Sequence, residues 1–242
     1  MKNKCILVTG ANGTLGTALV EHLIKNEVHV AAVGRSTRAS SKLCTALTVD
    51  LLSPNAAHDV ISQLQEQDLS PVGFVHAARN KAFLTKDSEH EIALSQWLSE
   101  YQLAVPIAYQ LSQALVQMPH SQLESIVLAS SIYGCVAQLP RLYEKPELSM
   151  VPQYGAAKAA LIQLTKSLAV ALSPAVRVNA VSFGGIRVGT DAALQKRYGE
   201  SCPQGRMLEL PEVVGPISFL LSKDASGITG QNIIVDGGWT AW

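Results

Sequence analysis

The residues best placed to do chemistry are Tyr154 and Lys158, in the run Tyr154-Gly155-Ala156-Ala157-Lys158, read together with Ser131 upstream. From Gly155 to Leu172 the apolar residues Ala157, Ala160, Leu161, Leu164, Leu168 and Ala171 recur at three- and four-residue steps, and Pro174 closes the run. That period predicts a helix carrying Tyr154 and Lys158 one turn apart on one face. A phenol with a reference pKa of about 10 relays protons poorly at neutral pH, so it needs a fixed positive neighbour to stabilise the phenolate. Lysine at i+4 supplies one. Two unit charges about 4 Å apart at an effective dielectric of about 20 interact by roughly 4 kcal/mol, an upper figure once solvent screens them.

Such a pair works only if other elements bring a substrate to it. Cys5–Val8 reads as a first strand, Thr9-Gly10-Ala11-Asn12-Gly13-Thr14-Leu15-Gly16 as a glycine turn, and Thr17–Lys25 as a helix. Strand, turn and helix make a phosphate-binding unit, in which glycines let the backbone approach a pyrophosphate and the helix N-terminus faces its charge. Val28–Val33 follows as a second strand and completes a βαβ unit within about 30 residues. At its end, where an acid would hold the ribose hydroxyls of NAD, stands Gly34-Arg35-Ser36, with Arg38 close by. An arginine fork and a serine donor suit a 2′-phosphate, so NADP(H) is favoured over NAD(H), which stays possible. Asp50, closing a third strand over Ala46–Val49, is placed to cap the adenine edge.

Further along, Ser53-Pro54 predicts a cap and first turn for a helix to about Gln67. Val72–His76 predicts a fourth strand, running into Ala77-Ala78-Arg79-Asn80, and Lys81–Glu91 a surface loop. One long helix is expected from Leu94 to Gln117, kinked at Pro106. Ile126–Ala129, Val176–Val181 and Ile233–Val235 complete the strands. Strands alternating with helices imply an α/β fold, a three-layer, Rossmann-type, doubly wound parallel sheet of about seven strands, with residues 1–242 as a single dinucleotide-binding domain.

The 242 residues are 48% hydrophobic and 16% charged, enough for a sizeable core. Lys plus Arg and Asp plus Glu balance at 19 each, which excludes a basic field for nucleic acid or an anionic membrane and favours a small-molecule substrate. The apolar start breaks at Thr9-Gly10, too early for a signal peptide, and no run is long enough to span a bilayer. Cys5, Cys44, Cys135 and Cys202 are scattered and no histidines pair at ligand spacing, so no metal site is expected and a cytoplasmic setting is.

Thr9-Gly10…Gly16, Ser131, Tyr154-x-x-x-Lys158, Arg177-Val178-Asn179-Ala180-Val181 and Ile228-Thr229-Gly230-Gln231…Val235-Asp236-Gly237-Gly238 stand in an order that resembles the short-chain dehydrogenase/reductase family over nearly the whole chain. The resemblance implies that Tyr154 is the general acid/base, that Lys158 lowers its pKa and grips the nicotinamide ribose, and that Ser131, three residues before Gly134, polarises the substrate carbonyl. It places the family's catalytic asparagine at Gln102. Cofactor contacts are expected from Gly10, Asn12, Gly13, Thr14, Leu15 and Gly16, from Arg35, Ser36, Asp50 and Leu51, from Ala77 and Ala78, from Tyr154 and Lys158, and from Gly184 and Ile186.

Several positions depart from the family pattern. Thr14 stands at a usual glycine, while Gly13 gives the spacing of the sugar-nucleotide-modifying branch. His76-Ala77-Ala78-Arg79 replaces Asn-Asn-Ala-Gly, Phe183-Gly184 replaces Pro-Gly, and Val188 replaces a carboxamide-binding threonine, with Thr190 as a substitute. His76 reads as a satisfied strand-end histidine. The segment between Ser131 and Tyr154, carrying Arg141, Tyr143, Glu144 and Lys145, is long and resembles segments of reductases acting on bacterial surface sugars. Residues 188–205 read either as a helical lid hinged at Gly189 and Gly199 or as a fixed surface helix. The expectation is an NADP(H)-dependent carbonyl/alcohol oxidoreductase, on a sugar-like substrate or alternatively a 3-oxoacyl thioester. A non-catalytic NADP(H)-binding regulator and a nucleotide-sugar epimerase or dehydratase are the other readings. A homo-oligomer, dimer or tetramer, is expected through the Tyr154 helix, with its small Ala156, Ala159 and Ala160, and through Trp239 and Trp242.

Overall fold

The computed structural model describes residues 3–36, 39–86 and 91–242, so Arg38 and part of the segment after Lys86 lie outside the described residues. Seven strands, β1 (Asn3–Thr9), β2 (Val30–Gly34), β3 (Cys44–Thr48), β4 (Leu69–His76), β5 (Ser125–Ser131), β6 (Arg177–Phe183) and β7 (Asn232–Val235), form one sheet in the order β3-β2-β1-β4-β5-β6-β7. Every pairing is parallel. The helices are α1 (Thr14–Lys25), α2 (Ala56–Glu66), α3 (Leu94–Ala104), α4 (Pro106–Val116), α5 (Pro146–Ser149), α6 (Pro152–Leu172), α7 (Ala192–Glu200) and α8 (Leu210–Leu221).

Strand alternation sorts the core onto two faces. In β1, Cys5 and Leu7 join a cluster with Val60 and Leu64 of α2, Leu111 of α4 and Leu161 of α6. Ile6 and Val8 point the other way, to Leu19 and Val20 of α1 and Val213 and Ile217 of α8. Covering helices on both faces make the three layers that parallel strands require. The order reverses between β1 and β4, and the crevice beyond their carboxyl ends is where a doubly wound sheet takes its ligand.

Three local expectations give way. The helix expected from Leu94 to Gln117 is two helices, broken at Val105, which ends α3 and starts α4 with Pro106 at its first turn. A proline lacks the N–H and clashes with the carbonyl four residues back, so the chain restarts rather than bends. Helix α2 starts at Ala56 under Asn55, because Ser53 is used in a turn, its carbonyl accepting from the Ala56 amide at 3.1 Å. The expected loop after β4 opens with a 3-10 turn, Lys81–Leu84, capped by the Asn80 side chain.

Candidate active site

A cavity of about 640 Å³ runs across the carboxyl ends of the strands, from Gly10–Gly16 at one end to Gly184, Gly185 and Ile186 at the other. At the first end the chain doubles back sharply: a Cβ on Gly16 would fall 2.1 Å from the Gly10 carbonyl oxygen, so only glycine lets α1 start there. Helix α1 begins at Thr14, after Gly13, with no side-chain cap, leaving its first amides to a ligand, and this fits a dinucleotide pyrophosphate. Asn12 Nδ2 donates to the Ser36 carbonyl at 2.8 Å and to Ser36 Oγ at 2.9 Å, which holds the Arg35–Ser36 turn beside the glycines with the serine proton still available. Asp50 and Leu51 line the same end, and the Asp50 carboxylate accepts from the Leu52 amide at 3.1 Å. Ala77 and Ala78 line the middle, where β4 ends.

The reacting end is assembled by α6 pressing on the end of β5. Residues Ile132–Gly134 form a 3-10 turn capped by Ser131, whose Oγ accepts from the Tyr133 amide at 3.2 Å and keeps its own proton to donate. A Cβ on Gly134 would lie 2.8 Å from the Lys158 carbonyl carbon, so this glycine lets the helix pass close enough for serine, tyrosine and lysine to share one space. Ser130, behind, donates to the Lys158 carbonyl at 3.0 Å. Lys158 is buried and its Nζ donates to the Ala129 carbonyl at 2.8 Å while standing 5.6 Å from the centre of the Tyr154 ring. The Arg79 guanidinium lies over the same ring, 4.9 Å from its centre.

Three neighbouring groups, His76, Tyr133 and Tyr198, are pushed toward their neutral forms. Burial, and then the Lys158 charge, lower the His76 pKa to about 3. Its Nε2 donates to the Leu103 carbonyl at 2.9 Å, and with the ring neutral Nδ1 accepts from the Thr9 hydroxyl at 2.9 Å, the satisfied strand-end role. Burial also raises Tyr133, with Tyr143 adding to it, and pushes Tyr198 up to about 12. Tyr154 differs from these two phenols in having a guanidinium and an ammonium against its ring.

Ser131, Tyr154 and Lys158 thus meet in the cavity with every expected cofactor-contact residue, but Gln102 does not. Helix α3 turns Glu100, Leu103 and Ala104 inward, and the helical period leaves Gln102 exposed on the opposite face. The inward group is Glu100, 2% exposed, whose Oε2 has no partner among the described residues. Burial raises its pKa, opposed by the charges of Lys158 and Arg79. Sequence reasoning passed over Glu100, whose only signal was its place three residues before the buried Leu103.

Residues 192–200 form the helix α7, which packs against the body of the domain. Tyr198 of α7 is buried, stacks on Trp239 at 4.4 Å between ring centres and accepts from the Gly185 amide at 2.9 Å. Arg197 Nε donates to the Leu142 carbonyl. A Cβ on Gly199 would fall 2.4 Å from the Gly205 carbonyl oxygen, so this glycine permits that close contact. Tyr143, from the long segment, closes the wall through its hydroxyl, 3.1 Å from that of Tyr133. Val188 and Thr190 both line the cavity, and the Thr190 hydroxyl donates to the Arg187 carbonyl at 2.6 Å.

A family model described as enoyl-(acyl carrier protein) reductase matches residues 10–240. The chain belongs to the short-chain dehydrogenase/reductase family. Among curated relatives, a probable galactose dehydrogenase of Rhizobium meliloti is 29% identical over 259 residues, covering 98% of this chain and 95% of the relative. A 3-oxoacyl-[acyl-carrier-protein] reductase of Salmonella typhimurium is 26% identical over 251 residues, covering 98% and 97%. A solved 4-hydroxyisoleucine dehydrogenase complexed with NADH superposes with a TM-score of 0.86 at 25% identity, covering 99% of this chain and 100% of that one. Membership in the short-chain family makes the chain an NAD(P)-dependent oxidoreductase acting between alcohols and carbonyls. No helix among the described residues is long and apolar enough to cross a membrane.

Proposed function

We propose that this protein is an NADP(H)-dependent reductase and dehydrogenase of a small, polar, hydroxylated substrate. The observation that carries it is the meeting of Ser131, Tyr154 and Lys158 in the cavity that also holds the glycine turn. Gly10, Asn12, Gly13, Thr14, Leu15 and Gly16 would hold the pyrophosphate, Ala77, Ala78, Gly184 and Ile186 the nicotinamide half, and Arg35 with Ser36 a 2′-phosphate. A bound nicotinamide supplies or takes up the hydride. Ser131 donates its free proton to the substrate oxygen, Tyr154 gives or removes the proton at that oxygen, and the Lys158 ammonium steadies the phenolate. Lys158 is suited to this because its backbone contact at Ala129 fixes it in place. The Arg79 guanidinium and the Lys158 ammonium both stand against the Tyr154 ring.

A polar substrate is supported by the wall of hydroxyls from Tyr133, Tyr143 and Thr190 and by a relative named for galactose. The relative named for 3-oxoacyl carrier-protein substrates supports a thioester as second reading. Oxidation of NADPH against ketosugars, 3-oxoacyl thioesters and simple ketones separates the two. Cofactor binding by calorimetry with no oxidation across that panel would sink both. Four cysteines without a disulfide among the described residues suit a reducing cytoplasm. Leu94, Leu98 and Tyr101, exposed by 71%, 60% and 47% on α3, which packs beside α6, support a homo-oligomer through these helices, and a monomer by light scattering would refute it.

A further inference from the structure

The reacting end of the cavity carries charge of one sign only. Arg79 and Lys81, directly after β4, line it, and Lys158 stands behind Tyr154. The sole carboxylate among the described lining residues is Asp50, at the opposite end, already accepting from the Leu52 amide. Arg79 is exposed to the cavity with its carbon 4.9 Å from the centre of the Tyr154 ring, and no hydrogen bond or ion pair within the described residues occupies its N–H groups. Glu144 pairs with Arg197 at 3.6 Å, and Glu100, buried outside the lining, feels the Arg79 charge but makes no hydrogen bond or ion pair with it. A guanidinium lying on an aromatic face keeps its in-plane donors for another group, and their fork matches a carboxylate.

We propose that Arg79, assisted by Lys81, is an anion-receiving subsite for the substrate, so that the compound reduced or oxidised here carries a carboxylate a few bonds from the carbon held by Ser131 and Tyr154. This rests on the reductase reading and narrows it: the substrate is a small oxo or hydroxy acid, a polyhydroxylated acid included, rather than a neutral sugar or a thioester. One fork and one exposed ammonium suit a planar monoanion, whereas a phosphate dianion gathers more donors. A 2′-phosphate of the cofactor is not the occupant, because Arg35 and Ser36 lie at the far end with Asp50.

The test compares pyruvate, acetoacetate and levulinate with their methyl esters, with NADPH, in the wild type and in Arg79→Gln, Arg79→Lys and Lys81→Gln. The wild type should favour the best acid over its ester by about ten- to a hundredfold in kcat/KM, the size of a charge-assisted pair. Arg79→Gln should bring that ratio to near one, Arg79→Lys should restore part of it, and Lys81→Gln should lower it by a few-fold. Because the readout is a ratio within one variant, any effect of Arg79 on Tyr154 itself cancels. Turnover with equal or better use of the esters overturns the subsite and leaves the reductase reading intact. If nothing in the panel is turned over, calorimetry on protein saturated with NADP+ decides: lactate, 3-hydroxybutyrate or 4-hydroxyvalerate binding at least tenfold more tightly to wild type than to Arg79→Gln keeps the subsite while the reductase reading falls. No such difference overturns it, as does inorganic phosphate binding through Arg79 more tightly than any of these acids.

Discussion

The two ends of the cavity are built from different materials. The dinucleotide end is mostly backbone: a glycine turn, an uncapped helix start and one asparagine tying the Arg35–Ser36 turn to it. The reacting end is side chains brought from far apart, Arg79 after β4, Tyr133 and Tyr143 after β5, Tyr154 and Lys158 on α6, and Tyr198 on α7. A site made of backbone depends on local spacing and accepts one shape of ligand. A site made of side chains can be revised one residue at a time, so the chemistry of the substrate is set at the second end while the first stays fixed.

Substitutions that strike one end alone test this division. Tyr154→Phe should lower turnover by about a hundred- to ten-thousandfold and leave NADPH affinity within about twofold, as measured by single-turnover kinetics and calorimetry. Loss of NADPH binding in that variant would mean the ends are not separable. Arg35→Asp should act on the other end, raising the Kd for NADPH by about ten- to a hundredfold and improving NADH relative to it, with kcat at saturating cofactor little changed. An unchanged NADPH-to-NADH ratio would remove Arg35 from cofactor selection. Gly134→Ala probes the seam, because the added Cβ must push the 3-10 turn off α6; a loss of about 1–3 kcal/mol in urea unfolding, with kcat falling more than cofactor affinity, is expected.

The last effect lies behind the cavity and bears on stability rather than on activity. His76 is buried neutral with its pKa lowered to about 3 against an ordinary 6.5, so between these values the unfolded chain binds a proton that the folded chain refuses. Its contribution to stability is therefore complete above about pH 6.5 and is lost as pH falls, by up to about 1.4 kcal/mol per unit. Replacing it, as in His76→Gln, should flatten the wild-type slope of stability between pH 6.5 and 4.5 in denaturant titrations. A slope as steep in the variant would assign it to other groups.

Much of this was legible in the chain itself. Strand alternation, the glycine turn and the Tyr154–Lys158 spacing are local patterns with a period, and each strand lies within a few residues of its expected place. What escaped depends on which face a helix turns inward or on a distant partner. Gln102 was assigned from the family resemblance alone, yet the packing of α3 presents Glu100 and Leu103 instead. Residues 188–205 could be read as a lid or as a surface helix, and what ties them down, Trp239 and Leu142, are partners that no local window contains. Arg79 was visible as a departure, but only the geometry puts it on the tyrosine ring.

The contact between Tyr198 and Trp239 extends the site into a stretch that carries none of the motifs. The Tyr198 hydroxyl braces Gly185 and its ring rests on the indole, so residue 239 sets how firmly the wall at Gly185 stands. Anyone retargeting this protein by mutating only pocket positions, or fusing bulky cargo next to that indole, would be altering selectivity from the rear.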